Sequence, residues 1–433
     1  MAGVSNAVPP TSRATVFTYG GWRREGSTVH FDVRLTHSLA RETWEFDERL
    51  DWATPGVEPL LDLLAALIGL SYYKLEIADT VDFGPLGLRP SGRDLLRAAF
   101  REGLGEFAFR NHLAPLTPHL VGGHDYDAVE YSGGDGVLVP FGGGIDSVVT
   151  VEGVRRHHPV TLFIVSPSQG HFQPLEDTAA VTGLDILRAT RHLDLPVLRG
   201  PGYRGHVPVT AIIAVAAALV ALGTGHGAVA MSNEQSASIP NVVTPAGSIN
   251  HQWSKSLDAE ELISRALLDS VGPGLLVASA LRDRSEIWVA EHFARLEQYH
   301  DHFRSCNRAF THDPAQRATR WCGECDKCLF IELILAPFIP RQRLHEIFGV
   351  EPLSDPNRFN QLRTLVGLGD QKKPFECVGD PDECSVALQV LAHDPEWSNV
   401  PVLRDLASQV EPAHLDTHLH SRGVSHAPRT WLL

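Results

Sequence analysis

Residues 140–150 read PFGGGIDSVVT, and no other stretch limits the possible folds as strongly. The apolar run GVLVPF (136–141) predicts a buried strand, three glycines follow, and a helix is expected from about Ser147. Glycine lacks a Cβ, so such a loop can take positive φ and let a ligand approach its backbone. Its N–H groups and the positive end of the following helix make a cradle for an anion such as phosphate. Ser147 offers a hydroxyl donor, and Asp146 a carboxylate able to hold Mg²⁺ across phosphates.

The surrounding pattern suits an α/β fold. VTLFIVS (160–166), LPVLRG (195–200) and GAVAMS (227–232) read as further strands, and the apolar stretch from Val209 to Leu222 as a buried helix. Strands alternating with helices imply a parallel sheet with helices on both faces. Ligands of such sheets bind at the carboxyl ends of the strands. Upstream, residues 15–50 alternate as short antiparallel strands do, and 57–70 and 91–104 have helical spacing. The expected division is an N-terminal α+β domain (1–130), an α/β domain carrying the loop and a cysteine cluster (131–340), and a helical C-terminal region (341–433).

Two rival nucleotide motifs are excluded. A Walker loop needs Lys after its last glycine, and Ile145 stands there. A dinucleotide fingerprint needs a further glycine where this chain has Ser147. The stretch GTGHG (223–227) runs from helix to strand, the wrong polarity for a phosphate loop. The segment Gly142-Gly143-Gly144-Ile145-Asp146-Ser147 instead resembles the SGGxDS signature of the PP-loop ATP pyrophosphatases, whose sheet is of the adenine nucleotide alpha hydrolase-like kind. It departs at Gly142, where the signature has Ser, and so loses one hydroxyl donor. The resemblance implies that ATP is split into AMP and pyrophosphate, with adenine near Val165 and Ser166.

Four of the six cysteines, Cys306, Cys322, Cys325 and Cys328, fall in one short region. In WCGECDKC the CxxC spacing lets successive thiolates face one ion, and four thiolates complete a tetrahedral Zn²⁺ site with a structural role. Spacing alone does not fix the metal, so an iron–sulfur cluster and unligated cysteines stay open as alternatives. The cluster is also similar to the zinc site of the PP-loop 7-cyano-7-deazaguanine synthases. Cys377 and Cys384 read as buried fillers.

Composition narrows the partners. A formal charge of −15 with no basic run excludes an extended nucleic-acid groove, and clusters such as Arg23-Arg24 and Lys372-Lys373 are short. The N-terminal stretch MAGVSNAVPPTSR lacks the apolar core of a signal peptide, and no apolar run is long enough to span a bilayer. The expectation is a cytoplasmic protein.

Several polar strings are unusual: FTYGGWRREG (17–26), SNEQSAS (232–238), NHQWSKS (250–256) and SCNRAF (305–310). Together with the glycine loop and WCGECDKC, they resemble the UDP-N-acetylmuramoyl-L-alanyl-L-glutamate epimerases of peptidoglycan synthesis over roughly residues 15–400. The resemblance implies an isomerase using ATP and Mg²⁺, a UDP-linked muramoyl dipeptide as substrate, and an L-glutamate-adding muramoyl ligase as pathway neighbour. Inversion at Cα needs proton carriers, for which Glu234 and His251 are the candidates; Lys255 is a candidate contact to carboxylate or phosphate. Arg23-Arg24 and Arg308 with Arg320 are candidates for the UDP diphosphate. Two other readings remain: a PP-loop amide or nitrile synthase, and a non-enzymatic nucleotide-binding regulator.

Overall fold

The computed structural model describes residues 15–167, 172–245, 247–309, 317–318, 320–369, 373–412, 414–420 and 423–431. The N-terminal stretch through Ala14, Phe310 of SCNRAF, Lys372, Ser421 and Arg422 lie outside the described residues. The strands are β1 (Val16–Glu25), β2 (Thr28–Arg34), β3 (Leu39–Phe46), β4 (Thr80–Asp82), β5 (His119–Val121), β6 (Gly134–Pro140), β7 (Val160–Pro167), β8 (Ile186–His192), β9 (His226–Met231), β10 (Val242–Thr244), β11 (Gly247–Ile249) and β12 (Leu276–Ser279). All but β10 and β11, which form a separate hairpin, share one sheet in the order β12-β9-β6-β7-β8-β3-β2-β1-β4-β5. The protein is a mixed α/β fold around this mostly parallel sheet.

The strand sequences account for the two ways in which they are buried. In β2 and the first half of β1 every second residue is buried, which is the pattern of a half-covered antiparallel ribbon. In β6, β7 and β9 both faces are covered. Val137, Val139, Leu162, Ile164 and Ala230 point into one core, and Leu138, Phe163, Val229 and Met231 into the other. Successive side chains leave opposite faces of a strand, so a continuous apolar run must feed two cores. Helices Val57–Tyr73 and Val209–Gly223 fill one core, and helices Ile145–Val154, Glu286–Ala294 and Asp326–Leu335 fill the other.

The third parallel strand is not where the sequence pattern put it. LPVLRG forms a short helix, Leu195–Arg199, with Pro196 in its first turn and the Asp194 side chain accepting from Val197 N at 3.3 Å. The strand is β8, ILRATRH, whose polar residues hid it. β8 pairs in parallel with β7 and antiparallel with β3, so the N-terminal strands and the loop-bearing strands are one sheet. Its arginines are neutralised locally, Arg188 by Glu176 at 2.7 Å and Arg191 by the buried Glu42 at 2.7 Å. No described helix is long and apolar enough to cross a membrane.

Candidate active site

Among the parallel strands the chain moves outward from β6 to β7 and β8, then returns to place β9 on β6's other side. The direction of winding reverses there, and open α/β sheets bind ligands at such a point. A cavity of about 490 Å³ lies at this edge, lined in part by residues at and just after the carboxyl ends of β6, β7 and β9. That volume suits a small-molecule ligand.

The glycine loop forms part of its wall. Gly143 sits at φ 69°, a conformation that disfavours any residue with a Cβ. A Cβ on Gly144 would lie 2.8 Å from Ser305 Oγ. Arg304 N donates to Gly143 O at 3.1 Å, so the 304–305 segment is tied to the loop. Of the residues expected to hold nucleotide, Gly142, Gly144, Asp146, Ser147 and Ser166 line the cavity, whereas Gly143 supplies the turn. Ser147 Oγ donates to Gly144 O at 3.0 Å.

Asp146 is the unusual member. Its buried Oδ1 has no hydrogen-bond partner among the described residues. Burial, reinforced by Glu234, pushes its carboxyl up to about 6 despite the pull of Lys327 and Lys255. A buried carboxylate oxygen without a partner is a donor suited to a divalent cation.

The expected proton carriers separate. Lys255 lines the cavity. Glu234, 2% exposed, is not among the lining residues, and its Oε1 accepts from Ser236 Oγ at 3.4 Å. Burial raises the Glu234 carboxyl, but Lys255 and Lys327 hold it below the usual range. His251 also lies behind the lining. Its Nδ1 is 2.5 Å from Glu106 Oε2, and its ring centroid lies 4.3 Å from that of His206, with the two rings tilted at 45°. Burial lowers His251, but bonds to Cys377 and Glu106 overcome that and raise it to about 9. Burial holds the neighbouring His206 down to about 3, so His251 carries the proton.

Cys377 is the residue that sequence reasoning assigned to filler. It lines the cavity with Lys255, and its thiol and the His251 ring influence each other's ionisation. No local motif marks it, and its partners lie far upstream. Cys384, by contrast, is fully buried in helix Pro381–His393. The diphosphate candidates also differ from expectation. Arg23 pairs with Glu25, Arg24 lies over Trp52, and Arg308 pairs with Glu324; none of these, nor Arg320, lines the cavity, whereas Arg191, Arg304 and Arg317 do.

Cys306, Cys322, Cys325 and Cys328 offer sulfurs all within 4.8 Å of one another. The Cys322–Cys328 and Cys325–Cys328 separations are 3.7 and 3.4 Å. A tetrahedron of metal–sulfur bonds near 2.3 Å places its sulfurs about 3.8 Å apart, so the group fits a metal ion. This knot also positions cavity residues, because Ser305 precedes Cys306 and Lys327 precedes Cys328.

The family described as the MurL N-terminal domain matches residues 11–279, and the MurL C-terminal domain matches residues 302–421. The chain belongs to the MurL family. It is 40% identical over 419 residues to the UDP-N-acetyl-alpha-D-muramoyl-L-alanyl-L-glutamate epimerase of Salinispora tropica, covering 92% of this chain and 89% of the relative. It is 40% identical to the epimerase of the same name from a Micromonospora species, covering 81% of this chain and 78% of that protein. The Xanthomonas oryzae pv. oryzae epimerase of that name is 35% identical, with 83% and 81% covered. Both MurL segments build the cavity. The N-terminal one supplies the glycine loop and Lys255, and the C-terminal one supplies Arg304, Ser305, Lys327 and Cys377.

Proposed function

We propose that this chain is an isomerase that inverts the terminal L-Glu of UDP-N-acetylmuramoyl-L-alanyl-L-glutamate to D-Glu, using ATP and releasing AMP and diphosphate. The observation that carries this reading is the meeting of Asp146, Ser147 and Lys255 around one cavity at the winding reversal, in a chain whose relatives are named for that epimerisation. ATP has a chemical purpose here. A free carboxylate opposes loss of its α-proton, because its negative charge disfavours a carbanion beside it. Joining the carboxylate to AMP removes that charge and acidifies Cα–H. After inversion, water cleaves the acyl-adenylate.

In this reading the loop from Gly142 to Gly144 and Ser147 hold the β,γ-phosphates of ATP, and the wall at Val165 and Ser166 takes adenine, as in PP-loop folds. Mg²⁺ held by Asp146 would neutralise charge on the pyrophosphate leaving group. Lys255 neutralises the substrate carboxylate as it approaches the α-phosphorus. Arg304 and Arg317 replace the expected arginine pairs as contacts for the UDP diphosphate. Zinc in the four-cysteine group would serve structure, since all four positions are protein thiolates. The reaction fits a cytoplasmic step following the muramoyl ligase that adds L-glutamate.

The test is product analysis with ATP and the muramoyl dipeptide substrate. AMP and pyrophosphate should form only when the substrate is present. Formation of ADP and phosphate instead would overturn adenylation.

A further inference from the structure

Cys377 is a half-buried thiol on the cavity wall with two cationic partners, and the reaction as described gives it no role. We propose that Cys377, as a thiolate, removes the proton from one face of the adenylated glutamyl Cα, and that His251 positions it; this rests on the epimerase reading above. Three features carry the inference. Cys377 shares its cavity with Asp146, Ser147 and Lys255, so a carboxylate activated at the loop is presented to the same space. The Ser166 side chain, 5% exposed, lines that space with an Oγ that has no partner among the described residues, an independent sign that a ligand belongs there. The segment bearing Cys377 is also anchored. Asn241 Nδ2 donates to Pro374 O at 2.5 Å, Gln252 Nε2 to Val378 O at 2.9 Å, and Lys373 Nζ to Ser236 O at 3.3 Å.

The electrostatics favour the thiolate. Burial raises Cys377, but Lys255 and His251 outweigh that and bring it to about 6. The charged groups facing it are His251, Lys255, Lys327 and Lys373 on the positive side, and Asp146 and Glu376 on the negative side. His251, raised to about 9, stays protonated where Cys377 is ionised, so near neutrality the two form an ion pair. Neither Glu234 nor His251 lines the cavity, which leaves the thiolate better placed than either expected carrier.

In the step itself, an S–H bond forms and the Cα–H bond breaks. Its electron pair moves into the bond to the acyl carbon, giving the enolate of the adenylate. A proton drawn from water returns to Cα on the opposite face, and the thiol then yields its proton to water.

The experiment follows Cys377→Ala with ATP, Mg²⁺ and the muramoyl dipeptide in D₂O. Inversion should fall on the order of 10²–10⁴-fold, the range for loss of a proton carrier, while substrate-dependent pyrophosphate release persists. A variant that inverts within threefold of wild type would overturn the proposal. So would a stable acyl–Cys377 adduct in the intact mass of the wild-type protein, which would make the thiol a nucleophile. If wild type itself neither inverts nor labels, the epimerase reading fails instead. Alkylation of Cys377 by iodoacetamide in the wild-type protein does not depend on how the variant folds. The thiolate is the reacting form, so the rate should rise with pH to a midpoint near 6. In His251→Gln that midpoint should move up toward the ordinary thiol range, and an unmoved midpoint would overturn the positioning role.

Discussion

Asp146 shows what one residue contributes when its surroundings leave it unfinished. Its carboxyl is buried, pushed up by burial and by Glu234, and one oxygen has no partner among the described residues. Asp146→Asn keeps the shape and removes the charge that a divalent cation needs. Pyrophosphate release should fall by at least about a hundredfold, as expected for a lost electrostatic contact at the reacting centre. The unfolding midpoint should stay near wild type, because the exchange relieves a buried charge rather than opening a cavity. Release at a near wild-type rate would remove Asp146 from the mechanism. Asp146 was legible because loop, acid and helix start are contiguous in the chain. Cys377 was not, because only the folded chain brings FECVGD against His251 and Lys255.

At the scale of elements, the turn around the four cysteines has two consequences. It closes a group whose sulfurs sit within 4.8 Å, and it holds Ser305 and Lys327 at the cavity. The expected content is one zinc per chain, stabilising the fold by on the order of 10 kcal/mol if it resembles small zinc domains. Removing it with a chelator, or through Cys325→Ser, should lower the unfolding midpoint and weaken ATP binding together. Elemental analysis finding no metal, with the four thiols freely titratable in the native protein, contradicts this. The grouping of the cysteines was readable because three of them recur at CxxC spacing within a few residues. The strand β8 was not, because Arg188 and Arg191 make it look like a loop. Its charges are answered by Glu176 and Glu42, which lie in other elements. The apolar run that drew attention, LPVLRG, is the short helix that follows.

Across the whole molecule, the sheet runs unbroken from β12 to β5, and the cavity opens where its winding reverses. The alternation of strands and helices foretold the parallel half and the edge at which the cavity lies. It did not foretell that β3 would join β8, since antiparallel pairing between distant strands leaves no mark in either one's pattern. Nor did it foretell that the C-terminal segment would return to the site, because its link there consists of side-chain bonds to backbone carbonyls at Pro374 and Val378. In the proposed reaction this assembly breaks a C–H bond after activating a carboxylate. The direct measurement is deuterium at Cα of the terminal glutamate after incubation with ATP, Mg²⁺ and UDP-N-acetylmuramoyl-L-alanyl-L-glutamate in D₂O. The expected product is a D-configured, labelled glutamate whose formation requires ATP and disappears in Asp146→Asn. An L-configured, unlabelled product formed while ATP is consumed would contradict it and favour an amide or nitrile synthase.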